Sequence, residues 1–98
     1  MLNQVILVGR LIKNIEVVDD KAILSLAIPR SYKNNEGIYE TDFVDCITFG
    51  DVATKTAEYC KKGDIVGVKG RIQTTIKEDT KTMEIIAEKV TFLSSKKD

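Results

Sequence analysis

Only one stretch of this chain reads as a helix, and it is flanked by three strand-like segments before it and two after it, an order that few small folds satisfy. Asp51 is placed to cap that helix. Val52, Ala53, Thr56, Ala57 and Cys60 then fall on one stripe, and Lys61-Lys62 followed by Gly63 predicts a cationic last turn and a glycine stop. Before it, Asn3 to Lys13 is apolar on both parities, with Val5, Leu7 and Leu11 against Ile6, Val8 and Ile12, as expected of a strand covered on both faces. Asp19-Asp20 predicts a turn, and Ala22 to Ile28 a second strand in which Leu24, Leu26 and Ile28 alternate with Ser25 and Ala27. Pro29 is expected to close that strand. Lys33 to Gly37 reads as a loop tip and Tyr39 as the start of the third strand. That strand sets Phe43, Asp45, Ile47 and Phe49 on one face and Val44, Cys46 and Thr48 on the other, so one face mixes two rings with a charge. After the helix, Asp64 to Lys77 carries Gly67 and Gly70, which permit coiling and close backbone approach, and Glu78 to Lys81 turns the chain into a last strand, Thr82 to Leu93.

The sum predicts an all-β fold: a five-stranded OB-fold Greek-key barrel with one α-helix between strands 3 and 4. An SH3-like barrel is the main competitor, but it has no place for a three-turn helix there. The 98 residues, 43% hydrophobic, suit one domain over residues 1–93 with a short frayed end at 94–98.

Composition removes several classes of chemistry. No apolar run nears the roughly 20 residues that span a bilayer, and the first residues lack the marks of a signal peptide, so the expected location is cytoplasmic. Cys46 and Cys60 form no Cys-x-x-Cys pair and there is no histidine, which argues against zinc sites and histidine-activated nucleophiles and for two buried free thiols. The carboxylate pairs Asp19-Asp20 and Glu78-Asp79 lie in turns, and the glycines match no phosphate-binding fingerprint. An enzyme is not expected, nor a cofactor.

Binding of an unpaired nucleic acid needs flat apolar surfaces interleaved with cations that follow the phosphates. Tyr32, Phe43 and Phe49 can supply the surfaces; Arg10, Arg30, Lys33, Lys62, Lys69, Arg71 and Lys77 are the candidate cations. Tyr32 stands out, being a large ring in a polar loop beside Arg30 and Lys33, whereas Phe49, at a strand end before a helix, reads first as a residue that packs under it. Fifteen basic residues are balanced by fifteen acidic ones, so any attraction for phosphate must come from local clustering rather than net charge.

Three segments, Asn3 to Leu11, Thr41 to Gly50 and Lys61 to Arg71, together resemble the bacterial and phage-type single-stranded DNA-binding protein family, and the likeness covers nearly the whole chain. That resemblance implies an OB barrel and a non-catalytic, sequence-independent binder that protects single-stranded DNA during replication, recombination or repair. It implies stacking roles for Tyr32 in Pro29-Arg30-Ser31-Tyr32-Lys33, Phe43 in Thr41-Asp42-Phe43 and Phe49 in Thr48-Phe49-Gly50. It also implies a homo-oligomer, a tetramer or at least a dimer, assembled through the Asn3 to Lys13 strand. The chain departs from the family pattern at the last hairpin, where Ile76-Lys77 stands in place of a stacking aromatic and leaves Lys77 and Lys81 to meet phosphate. The first hairpin is short around Val18-Asp19-Asp20. The chain stops at Ser95-Lys96-Lys97-Asp98 where the family carries an acidic-hydrophobic tail, so recruitment of replication proteins by that route is not expected. Two other readings stay open: a primosome-type OB module that binds a protein before DNA, and an oligomeric assembly domain with weak or lost DNA binding.

Overall fold

The computed structural model describes residues 1–95. Its elements are β1 (Val5–Leu11), β2 (Val17–Val18), β3 (Lys21–Lys33), β4 (Tyr39–Phe49), α1 (Gly50–Tyr59), β5 (Ile65–Lys77) and β6 (Thr80–Ser94). Five strands close a barrel. β1 pairs with β3 and β5, β3 with β4, and β5 with β6, all antiparallel, while β4 pairs with β6 in parallel through Cys46↔Ile85 and Ile47↔Ile86. This is the OB barrel the element order predicts, with α1 between the third and fourth barrel strands; the two-residue β2, which pairs with the start of β3, is an addition.

Alternation decides what is inside. Leu11, Leu24, Leu26, Cys46, Cys60, Val66, Val68 and Ala87 form the buried core, with Leu7, Ile28, Val44, Ile85 and Val90 packed against it. Two glycines are required by close approach. A Cβ at Gly9 would meet Ile28 Cγ1 at 2.8 Å, and one at Gly70 would drive into the carbonyl oxygen of Ile86. Gly70 sits where the β5–β6 register shifts so that the pairing passes from Lys69↔Lys89 to Gly70↔Ala87 and skips Glu88.

Three local expectations are corrected. β3 does not stop at Pro29: it runs to Lys33, with a register shift between Pro29 and Lys33. A proline is tolerated there because the pairing of β3 with β1 ends at Ala27, so Pro29 lies at a bulge with one flank free. Phe49, in extended conformation, holds the N-cap position without a side-chain hydrogen bond and Asp51 falls in the first turn, because Gly50 takes a φ of +61 and donates its N–H to Asp20 O at 3.0 Å, which starts the helix two residues early. At the other end Cys60 is the C-cap and no basic residue lies in the last turn, so Lys61, Lys62 and Gly63 follow the helix. There the Gly63 N–H, at φ +96, donates to Leu11 O at 2.8 Å and fastens the chain to the end of β1.

Both long hairpins, β3–β4 and β5–β6, point the same way because β4 and β6 are parallel. They project beyond the barrel, and the chain extends over 41 × 37 × 28 Å with a radius of gyration of 14.5 Å, above the ~13 Å of a compact chain of this length. β6 runs to Ser94, and the expected fray over 94–98 otherwise falls largely on 96–98, outside the described residues.

Candidate nucleic-acid interface

The outer face of β4 carries Tyr39, Thr41, Phe43, Asp45, Ile47 and Phe49, because the inward positions are taken by Val44, Cys46 and the buried Thr48, whose hydroxyl donates to Ala87 O at 3.1 Å. Its rings stand in solvent: Phe43 is 70%, Tyr39 57% and Phe49 49% exposed. From Tyr39 to Phe49 the strand covers about 33 Å at roughly 3.3 Å per residue, a span of several nucleotides.

Register places neighbours beside each ring. Lys21 of β3 faces Phe49, Ile23 faces Ile47, Ser25 faces Asp45, Ala27 faces Phe43, and Lys33 faces Tyr39. On the far side Ile47 is level with Ile86 and Ile86 with Arg71, so Ile23, Ile47, Ile86 and Arg71 make one row across four strands. Ile86 is buried yet lies outside the core cluster, as befits a side chain on the outer face covered by its neighbours. Ala27 is in turn level with Arg10 of β1, which extends the Phe43 row to a guanidinium.

The candidate residues therefore divide. Phe43, Phe49, Arg10, Lys33 and Arg71 gather on or beside the β4 face. Arg10 donates from Nη1 to the Gly63 carbonyl at 2.6 Å, which fixes its side chain without neutralising it. The Lys33 ammonium lies 5.6 Å from the centre of the Tyr39 ring, a cation–π contact that orders both. Arg71 donates to Gln73 Oε1 at 2.8 Å and lies 3.4 Å from the Glu88 carboxylate.

Arg30 is placed differently. Its Nη2 and Nε donate to Asp42 at 2.9 and 3.1 Å, and its Nη1 to Glu40 at 2.7 Å, on the hairpin face opposite Phe43. The hydrogen bonds and charge of Asp42 raise the Arg30 pKa further, and the guanidinium holds the Asp42 carboxyl below its ordinary range. Tyr32 is 64% exposed within the shifted register of the same hairpin, on strand rather than loop. Lys77 sits at the tip of the second arm, 3.7 Å from Glu84. Lys69 is level with Ile6 of β1 and Lys89 of β6, in a shallow groove with Gly67 and Leu93 away from the rings, and the exposed Lys62 follows the helix, its backbone N–H donating to Asn14 Oδ1 at 2.9 Å.

Sequence reasoning set Ile47 on the ring face without naming it as a contact, and missed Tyr39, Ile23 and Lys21. The signal was present in parity: Tyr39 is an even number of residues from Phe43, and Ile23 has the parity opposite to Leu24 and Leu26. Among the described residues no group of His, Cys, Asp and Glu could hold a metal ion, and no helix is long and apolar enough to cross a membrane.

The model of the single-strand binding protein family matches residues 2–93. The chain belongs to that family. Among relatives of the single-strand binding protein family, it is 41% identical to single-stranded DNA-binding protein B of Bacillus subtilis, over 98% of this chain and 94% of that one. It is also 41% identical to single-stranded DNA-binding protein 3 of Listeria innocua, over 100% of this chain and 68% of the relative. In fold it is similar to the Plasmodium falciparum SSB complex with ssDNA, with a TM-score of 0.75 at 24% identity, covering 96% of each chain. It is likewise similar to a deletion mutant of the single-stranded DNA binding protein from Thermus aquaticus, with a TM-score of 0.74 at 23% identity, covering 95% of this chain and 51% of that one. At these identities the two structures speak for the fold alone.

Proposed function

We propose that this chain binds single-stranded DNA by stacking bases along the outer face of β4 and drawing phosphates to the cations beside it. Its role is to cover and protect unpaired strands during replication, recombination or repair. The observation that carries this reading is the row Tyr39, Phe43, Ile47 and Phe49 on one exposed strand face, with Lys33, Arg10, Arg71 and Lys21 at its margins. Large rings left in solvent serve no core. Stacking on such rings is tolerant of sequence, since every base has a π-face, and is worth about 1–3 kcal/mol per base.

The protein acts as a homo-oligomer in this proposal, a tetramer or at least a dimer. Support comes from β1, whose inward residues are partly or fully buried while Ile6 and Val8 stand exposed on the outer side. The test of binding is a fluorescence anisotropy titration of labelled oligo-dT against the protein and Phe43→Ala, with a duplex of the same length as competitor. Tight binding to oligo-dT, a loss of about tenfold or more in the variant and weak competition by duplex support the reading. Equal binding of the variant removes the ring face from it.

A further inference from the structure

Asp45 is the anomaly of the ring face. It is exposed, two residues from Phe43 and two from Ile47 on the same side of β4, and its cross-strand neighbour Ser25 is buried. Among the described residues no ion pair reaches its carboxylate, although its flanking rows end in Arg10 and Arg71. An uncompensated negative charge in the middle of a surface meant for a polyanion would lower affinity unless it met something other than phosphate.

We infer that Asp45 is a base-selecting residue: its carboxylate accepts hydrogen bonds from the amino edge of a base stacked beside Phe43. This inference rests on the proposed binding of single-stranded DNA and adds a base preference to otherwise sequence-tolerant stacking. The chemistry discriminates. Cytosine presents the N4 amino group, a donor that acidic side chains accept, whereas the same position of thymine is the O4 acceptor, which faces a carboxylate with lone pairs against lone pairs. The spacing fits, since two residues of strand span about 7 Å and a base lying on the Phe43 ring has its edge within reach of the next outward side chain. The same charge repels the backbone, so phosphates are turned out toward the Arg10 and Arg71 margins while base edges turn in.

The experiment compares oligo-dC with oligo-dT of equal length, by anisotropy at fixed salt, for the protein, Asp45→Asn and Asp45→Ala. The readout is the ratio of the two Kd values, which cancels the general gain in affinity from removing a negative charge. The expected result is that the ratio moves toward oligo-dT by about fivefold or more in both variants, with folding unchanged because the side chain is exposed. A ratio that is the same in all three proteins, with binding intact, overturns the assignment of Asp45 and leaves the ring face standing. Absence of binding to either oligomer at low salt overturns the proposed function and this inference with it.

Discussion

Arg30 and Asp42 face each other across the β3–β4 hairpin, with Nη2 and Nε of the arginine 2.9 and 3.1 Å from the carboxylate and Glu40 taking its remaining edge at 2.7 Å. Asn34 joins them, donating to Glu40 at 2.9 Å and accepting the N–H groups of Glu36 and Ile38 at the tip. The guanidinium thus orders the hairpin and is already engaged by two carboxylates. Arg30→Ala should leave the log–log salt dependence of oligo-dT binding unchanged, whereas Arg10→Ala should flatten it by about 0.7, the release expected for one phosphate contact to a single strand. Because Asp42 is held below its ordinary 3.8, its contribution is present above that value and is lost as pH falls through the lower folded value. Hydrogen exchange at Glu36 and Ile38 should accelerate in that acid window and already be fast at neutral pH in Arg30→Ala.

Gly70→Ala should cost at least the ~1–3 kcal/mol typical of overpacking, because the new methyl has the Ile86 backbone in its way rather than a movable side chain. Urea denaturation measures it. Gly37→Ala is the contrast: nothing lies within 4 Å of its Cβ position, and only the φ of +76 opposes the change.

The two tight turns hold non-glycine residues at positive φ, Asp19 and Asp20 at 52 and 64 and Glu78 and Asp79 at 50 and 62. A two-residue hairpin loop with both centres in that region favours Asn-Gly. Replacing Glu78-Asp79 by Asn-Gly should stabilise the protein by about 1 kcal/mol and raise its Tm by several degrees. The equivalent change at Asp19-Asp20 tests the same strain next to the helix start, where Asp20 O accepts the Gly50 N–H.

What could be read from the residues was local and periodic. The alternation around Leu24 and Leu26, the doubly apolar β1 and the single helix gave the barrel's element order, and the parity of Phe43 and Phe49 marked their face. What escaped depended on pairing. Pro29 looked like a strand end because its tolerance comes from the missing neighbour beyond Ala27, a fact of sheet topology. Arg30 looked like a free cation because Asp42 and Glu40 meet it only through the β3–β4 pairing and its shifted register. The helix start moved to Gly50 because Asp20, thirty residues earlier, supplies the acceptor.

Burial pushes the Cys46 thiol up to about 11, with the neighbouring Asp45 charge adding to the effect, and raises Cys60 as well. A thiol that ionises less readily folded than unfolded contributes stability that is full below its ordinary 9.0 and is lost as pH rises toward the folded value. Stability should fall between pH 9 and about 11, less steeply in Cys46→Ala. Neither cysteine should react with a disulfide reagent at pH 8 until denaturant is added.

The most direct test of the ring face is an NMR titration of ¹⁵N-labelled protein with oligo-dT, read residue by residue. The perturbed amides should concentrate at Tyr39, Phe43, Ile47 and Phe49 of β4, with Lys21, Ile23 and Ala27 beside them and Arg10 and Arg71 at the margins. Perturbations confined to the groove of Ile6, Gly67, Lys69 and Leu93, with the β4 residues unmoved at saturation, would contradict that binding face.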